Sequence, residues 1–454
     1  MLRSALPVLS AVLFPAMLMA DCLPADMVLF SQLAYMNRTP TLWQIAGNSP
    51  YRTDNLYNDF GIKYAGQCAL IENELDVNFS VYGLTYYPYR HVEKFEQDDN
   101  RLRGIINQLS FSYRVAKALR VEAGKLKNPV GLFYLKSPAV LLNNYYAGFK
   151  ATRIYDPLMK QIYPETSWAI KLASDSTDYS WSLTAVPKLT HIDKRYEASS
   201  NWSVTERANA SERYLFSYTD YRLAAHTPAV NLAIGETKSI AVSDSFHYTP
   251  QWVFNAEFAW HGKEQWRHFN VDNAESVQNY RFPTSLYRLA EKNGLELALG
   301  GQYTTDHFSV LGLEYYYQSE GYSSSEWRKQ RKFIDFLNKT TPYATLNQAF
   351  DSYKYLMAAE INNIANKGSL QGKHYINGYA SFMMADSSTL QPYVVLNLQD
   401  QSAMWGVNYN RPLAQSDGKM EFYSGIYHAQ GSKYSEFGLF GKTVGVYSGM
   451  KYYF

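Results

Sequence analysis

Cysteine is nearly missing from this chain: two in 454 residues, Cys22 and Cys68. So few exclude a disulfide scaffold, and two thiols with no histidine nearby do not make a zinc site. Long apolar runs are missing too. Beyond the first 20 residues no stretch approaches the roughly 18 uninterrupted apolar residues a spanning helix needs. Neither sign of charge prevails, with 43 Lys and Arg against 41 Asp and Glu and a formal net charge of +2. No basic block points to nucleic acid. Catalytic signatures are scarce. None of the nine histidines shows H-E-x-x-H or a comparable ligand spacing, and no G-x-S-x-G occurs. His261 and His268, which flank Trp266, read as surface residues. These absences speak against an enzyme, a cofactor or a metal.

Aromatic residues are abundant, with 40 Tyr, 23 Phe and 9 Trp. Mean hydropathy is nevertheless negative, −0.35. A closed sheet with one face on lipid and the other on water reconciles the two, with aromatic girdles at both interfaces. The chain alternates accordingly. Leu75, Val77, Phe79 and Val81 oppose Glu74, Asp76, Asn78 and Ser80, and Leu109, Phe111, Tyr113 and Val115 oppose Gln108, Ser110, Ser112 and Arg114. Runs of this kind are expected at 27–36, 58–66, 73–86, 105–115, 119–126, 167–173, 179–186, 212–221, 252–260, 293–301, 307–317, 353–363, 374–384, 390–398, 403–410, 419–428, 434–441 and 444–454. A weaker hairpin lies at 229–234 and 240–248. The predicted fold class is all-β: a closed antiparallel transmembrane β-barrel of about 18 strands, within a range of 16–20. Trp252, Phe254, Phe258, Trp260 and Tyr315-Tyr316-Tyr317 are expected in an interface girdle.

Both ends fit. Residues 1–20 carry Arg3, then an apolar run broken by Pro7 and Pro15, then Ala20, the pattern of a secretory signal peptide. Residues 21–454 then form one barrel domain. The last strand places Val446, Met450, Tyr452 and Phe454 on one face, and pairing with the first strand would remove its open edge. Long connections fall on one side and short turns on the other, which puts the N-terminus in the periplasm and Cys68 in a periplasmic turn beside Cys22. In that oxidising compartment a Cys22–Cys68 disulfide is expected, with two unpaired thiols as the alternative.

The final strand, with Gly449, Tyr452 and Phe454, resembles the C-terminal signature of bacterial outer-membrane barrels. That resemblance implies the barrel-assembly machinery as a partner and the Gram-negative outer membrane, with its lipid and lipopolysaccharide, as the setting. A second stretch, Arg120-Val-Glu-Ala-Gly-Lys-Leu-Lys-Asn-Pro-Val-Gly-Leu-Phe133, is similar to a segment of Gram-negative porin-like proteins. Porins have one long loop that folds into the lumen, and 127–166 is the candidate for it here, with Lys127, Lys136, Lys150 and Arg153 giving a cationic constriction that would favour anions. The expected pore-lining residues are Arg114, Arg120, Glu122, Lys171, Glu257 and Glu314, because a charge on the lipid face costs a few kcal/mol near the midplane. The favoured function is passive diffusion of small hydrophilic solutes or ions. Two alternatives stand beside it: a hydrophobic-substrate channel plugged by residues 21–57, and a structural or adhesive barrel with a closed lumen. Trimer and monomer both remain open.

Overall fold

The computed structural model describes residues 26–38, 42, 56–85, 102–127, 131–142, 166–189, 209, 211–264, 267–290, 292–366, 370–413, 417–439 and 443–454. The wall strands are β1 (Asp26–Arg38), β2 (Leu56–Ile71), β3 (Leu75–Thr85), β4 (Leu102–Ala116), β5 (Leu119–Lys127), β6 (Thr166–Asp175), β7 (Tyr179–Val186), β8 (Arg213–Asp220), β9 (Ala229–Ile234), β10 (Lys238–His247) and β11 (Trp252–His261). They continue, after a small two-stranded sheet of β12 (Arg267–Phe269) and β13 (Tyr287–Leu289), with β14 (Gly294–Thr304), β15 (Val310–Gln318), β16 (His374–Met383), β17 (Thr389–Asn397), β18 (Ser402–Pro412), β19 (Met420–Gln430) and β20 (Thr443–Tyr453). Among the described residues, three helices stand outside the wall: α1 (Val271–Gln278), α2 (Ser324–Leu337) and α3 (Ala344–Asn366).

The wall is one 18-stranded antiparallel sheet. Each strand pairs with its chain neighbours, and β1 closes the ring on β20 from Val28↔Tyr453 to Arg38↔Thr443. No edge is left for aggregation or for unsatisfied backbone groups in lipid. The pleat sorts the side chains. Phe111, Tyr113, Val115, Ile170, Leu183, Leu313, Val446 and Met450 are exposed on the outer face. Ser110, Ser112, Asn377 and Asn397 are buried on the inner face. That outer band has the chemistry of acyl chains, and no helix among the described residues is long and apolar enough to cross a membrane. Trp252, Phe254 and Phe258 lie in this exposed band, with Trp252 stacked on Phe254. Tyr316 departs from the expected girdle: it is buried on the inner face.

Asp26, Phe454 and the short turns share one end of the barrel. Asn73 there takes φ 61°, and Asp417 and Gly418, just ahead of β19, both have positive φ, the left-handed conformation that tight turns use. The long connections occupy the other end, the extracellular one for a barrel of this polarity. Between β15 and β20 the inner face carries glycine opposite tyrosine: Gly312–Tyr379, Gly406–Tyr393, Gly425–Tyr447, Gly445–Tyr427 and Gly449–Tyr423. A Cβ on any of these glycines would overlap the opposed ring, so each tyrosine lies flat on backbone.

Three assignments from the sequence are corrected. Residues 353–363 belong to α3 rather than to a strand, and 434–441 contain no strand among the described residues. The weaker hairpin is instead a full part of the wall, β9 and β10. The strand count is therefore right through compensating errors. Cys68 lies within β2, ahead of the turn at 72–74 rather than in it.

The helices build an extracellular cap with its own core. Ala274 and Val277 of α1, Trp327, Phe333, Ile334 and Leu337 of α2, and Phe350, Tyr353 and Met357 of α3 pack together with Phe269 and Tyr287. Leu42 from the β1–β2 connection and Leu439 from the β19–β20 connection join them. Ser323 caps α2, its side chain accepting from the Glu326 N–H.

Candidate functional site: the in-folded loop and the lumen wall

The segment that leaves β5 turns inward. Gly124 has φ +127°, and a Cβ there would strike the Leu109 carbonyl. Gly131 lies against Ser137 so closely that a Cβ would overlap that side chain. Ser137 Oγ accepts from the Phe133 N–H at 2.9 Å and closes the bend. These glycines are two of the residues in the 120–133 stretch.

Residues 131–142 then dock on the inner wall. Glu257 Oε1 accepts the Leu132 N–H at 2.8 Å and Oε2 accepts the Ala139 N–H at 2.9 Å. Glu314 Oε1 accepts the Tyr134 N–H at 2.8 Å, and Oε2 accepts the Leu135 N–H at 3.0 Å and Asn377 Nδ2 at 2.8 Å. Lys136 Nζ pairs with Glu296 at 3.2 Å. Asn231 donates to the Ala139 carbonyl at 3.2 Å. Leu142 packs with Leu126, Val186 and Leu215. The loop therefore starts on β5 and reaches β14 and β15, nearly opposite in the ring. Tyr134 remains 74% exposed on its free side, its ring 4.4 Å from that of Tyr379.

Glu257 and Glu314 face inward as expected, but they do not line an open pore. They are 1% and 4% exposed, covered by the loop they hold. Lys136 is half-buried and ion-paired, so it adds no free positive charge. Lys127 is exposed at the end of β5. Lys150 and Arg153 lie outside the described residues. Glu296, which the sequence reading missed, shows the same signal as the two carboxylates it recognised: a charge between Leu295 and Leu297.

Arg114, Arg120, Glu122 and Lys171 come together on the inner face, toward the periplasmic end, since Arg114 pairs in register with Arg120 and Glu122 with Lys171. Arg120 Nε contacts Glu122 at 2.8 Å and its Nη2 contacts Asp175 at 3.2 Å, and Lys171 Nζ stands 3.7 Å from Glu122. The cluster is charge-compensated and still reached by solvent. Gly449, Tyr452 and Phe454 lie at the seam, where the Phe454 N–H donates to the Met27 carbonyl at 3.0 Å. Residues 26–38 of the suggested plug are wall, which removes the plugged-channel alternative for them. Residues 1–20 and Cys22 lie outside the described residues, and Cys68 is buried in β2.

No family model matches the chain, and no curated protein does. Solved structures do. OccK5 (OpdH) of Pseudomonas aeruginosa matches with a TM-score of 0.52 and 9% identity, over 96% of this chain and 98% of that one. The outer membrane protein OprD of Pseudomonas aeruginosa matches with a TM-score of 0.51 and 9% identity, over 96% of each chain. The chain has the fold of an outer-membrane β-barrel. At this identity the likeness is one of fold, and it agrees with the lipid-facing band of the wall.

Above the wall of this outer-membrane barrel, two ionisable groups couple the cap to pH. The sequence reading placed His268 on the surface. It sits instead between two carboxylates, Nδ1 3.0 Å from Glu326 and Nε2 3.2 Å from Glu264. Burial pulls its pKa down, and the hydrogen bonds and charges of Glu326 and Glu264 more than offset that, so the net shift is upward. His261 is likewise not a free surface residue, since its Nδ1 meets Ser239 Oγ at 2.8 Å. Glu436 of the β19–β20 connection points into the mouth. It accepts from the Gln371 N–H at 2.8 Å, Tyr375 OH at 2.5 Å and Asn397 Nδ2 at 2.7 Å. Burial pushes its pKa up to about 7, against those donors and with the nearby Asp400 charge adding to the rise.

The signs agree. Below the ordinary histidine range His268 is protonated in both states and its contribution is complete; that contribution is lost as pH rises through its raised value. Between the ordinary carboxylate range and about 7, folded Glu436 holds a proton that the unfolded chain has released, so stability falls as pH rises there too. The cap is expected to loosen toward alkaline pH. Hydrogen exchange, corrected for its intrinsic rate, should speed up in 267–289 and 431–439 between about pH 5.5 and about pH 8.5 while the wall strands stay protected. Equal protection at both values would refute it.

Proposed function

We propose that the barrel is a porin-type channel that passes small hydrophilic solutes or ions down their gradients, without bond making, through a lumen narrowed by the loop 127–166. The observation that carries this reading is the docking of residues 131–139 on Glu257 and Glu314, far round the ring from the strand the loop leaves. Porin constrictions act by width and by lining charge in a confined space where charge interactions are strong. With Lys136 neutralised by Glu296, and Arg120 and Lys171 beside Glu122 and Asp175, the described lining supports weak ion selectivity rather than a strong anion preference. Purified protein in a planar bilayer should show discrete conductance steps, and a salt gradient should give a small reversal potential. A lumen that never conducts would refute the reading.

One alternative retains support. The cap, with its own core over part of the extracellular end, fits a structural or adhesive barrel whose lumen is closed. Under that reading the bilayer stays silent.

A further inference from the structure

The cap carries a positive surface that the balanced composition of the chain does not foreshadow. Helix α2 buries Trp327, Gln330, Phe333, Ile334 and Leu337 along one side. Its opposite side presents Arg328, Lys329 and Lys332, all exposed, and Lys339 follows just past the C-terminus. Among the described residues no carboxylate pairs with any of these four. The β19–β20 connection extends the surface. Arg331 lies over the Tyr434 ring at 5.6 Å, Lys433 over the same ring at 4.9 Å, and Lys339 over Phe336 at 5.8 Å. Among the described residues, Asp335 is the acidic residue of α2 that lies on this side, and it already accepts from Tyr434 OH at 3.2 Å, while Asp400 acts on Arg331 at the edge of the surface. The other acidic residue of the helix, Glu326, is engaged by His268 on the core side.

We propose that this face of α2 docks an extended anionic polysaccharide lying along the helix. Three features select that partner. The cations form a row rather than converging: Arg328 and Lys332 stand one turn apart, about 6 Å along the axis. A row suits a polymer with repeated charges better than a single small anion. Among the described residues the aromatic ring of this surface, Tyr434, is already covered by cations rather than open as an apolar seat for a protein segment. It also lies at the extracellular end, on the same side as the long connections, where a polysaccharide outside the cell can reach it. Aromatic stacking limits the motion of Arg331 and Lys433, which lowers the ordering cost of binding.

The test uses full-length protein in detergent, with polygalacturonate as probe and neutral dextran as control. Polygalacturonate should bind, dextran should not, and affinity should fall steeply with added salt. The triple substitution R328Q/K329Q/K332Q, which touches exposed side chains only, should weaken binding about tenfold or more. The charge-conserving R328K/K329R/K332R should retain it. Heat-modifiable migration of each variant checks that the barrel is folded. Equal binding by the triple variant, equal binding of dextran, or no binding of polygalacturonate would overturn the proposal. So would binding of purified lipopolysaccharide alone, which would assign the surface to glycolipid. None of these outcomes depends on whether the barrel conducts.

Discussion

Replacing Glu257 and Glu314 together with alanine should raise single-channel conductance roughly twofold or more, because the loop they hold would leave the lumen. The two carboxylates accept backbone N–H groups of Leu132, Ala139, Tyr134 and Leu135. A hydrogen bond to a charged acceptor contributes about 1.5–3 kcal/mol, and a buried donor left without one costs about 1–3 kcal/mol. Four donors lose their partners at once, and that of Ala139 is buried. The Lys136–Glu296 pair, the Asn231 and Asn255 bonds and the packing of Leu142 remain, and they are expected to be too few to keep residues 131–139 seated. The single substitutions should give smaller increases, and E257Q/E314Q should fall between, since each amide keeps one acceptor oxygen. Frequent brief transitions between two conductance levels would be the signature of a loop that comes and goes. If the double alanine variant conducts like the parent with the same open-channel noise, residues 131–139 do not limit the path.

The expectation of a loop at 127–166 rests on local features of the sequence. Asn128-Pro129 and Gly131 mark a break after a strand, and Gly124 and Gly131 occupy positions where only glycine fits. The carboxylates that receive the loop were recognised as inward-facing because alternation fixes the face of a strand residue. Alternation cannot say what covers that face. Glu257 and Glu314 therefore looked like pore lining, though they lie beneath the loop.

The strand errors have the same origin. Tyr353, Tyr355 and Met357 alternate as in a strand, yet 344–366 runs without glycine or proline and is rich in alanine, which favours a helix. Residues 434–439 carry Phe437 and Leu439 because the connection buries them, Leu439 in the cap core and Phe437 among the inner-face tyrosines. β9 is only six residues long, and its place in the wall comes from pairing on both sides with β8 and β10. The cap was not legible at all. Its core joins residues from four different connections, and no local pattern records that meeting.

Closing the ring depends on a glycine that the C-terminal signature contains, and valine at position 449 should abolish the folded barrel. Gly449 pairs with Gln32 of β1 on one side and with Tyr423 of β19 on the other. A Cβ there would overlap both the Ser31 carbonyl and the Tyr423 ring. The ring cannot move freely, since Tyr423 is buried and its hydroxyl donates to the same Ser31 carbonyl at 3.1 Å. Relief must come from separating β20 from β1, which opens the seam and leaves backbone groups of both strands without partners in lipid. Each unsatisfied group there costs several kcal/mol, so a few of them together exceed what a typical whole domain can spare. G449V should therefore lose the heat-modifiable band on gels and the surface-exposed cap in intact cells. Position 448 supplies the control. Ser448 pairs with Leu33 on the outer face, where valine meets lipid rather than the wall. S448V should fold and conduct like the parent, although it too alters the terminal segment. Failure of both variants would assign the defect to recognition of that segment during assembly, and folding of both would show that the seam tolerates the displaced ring.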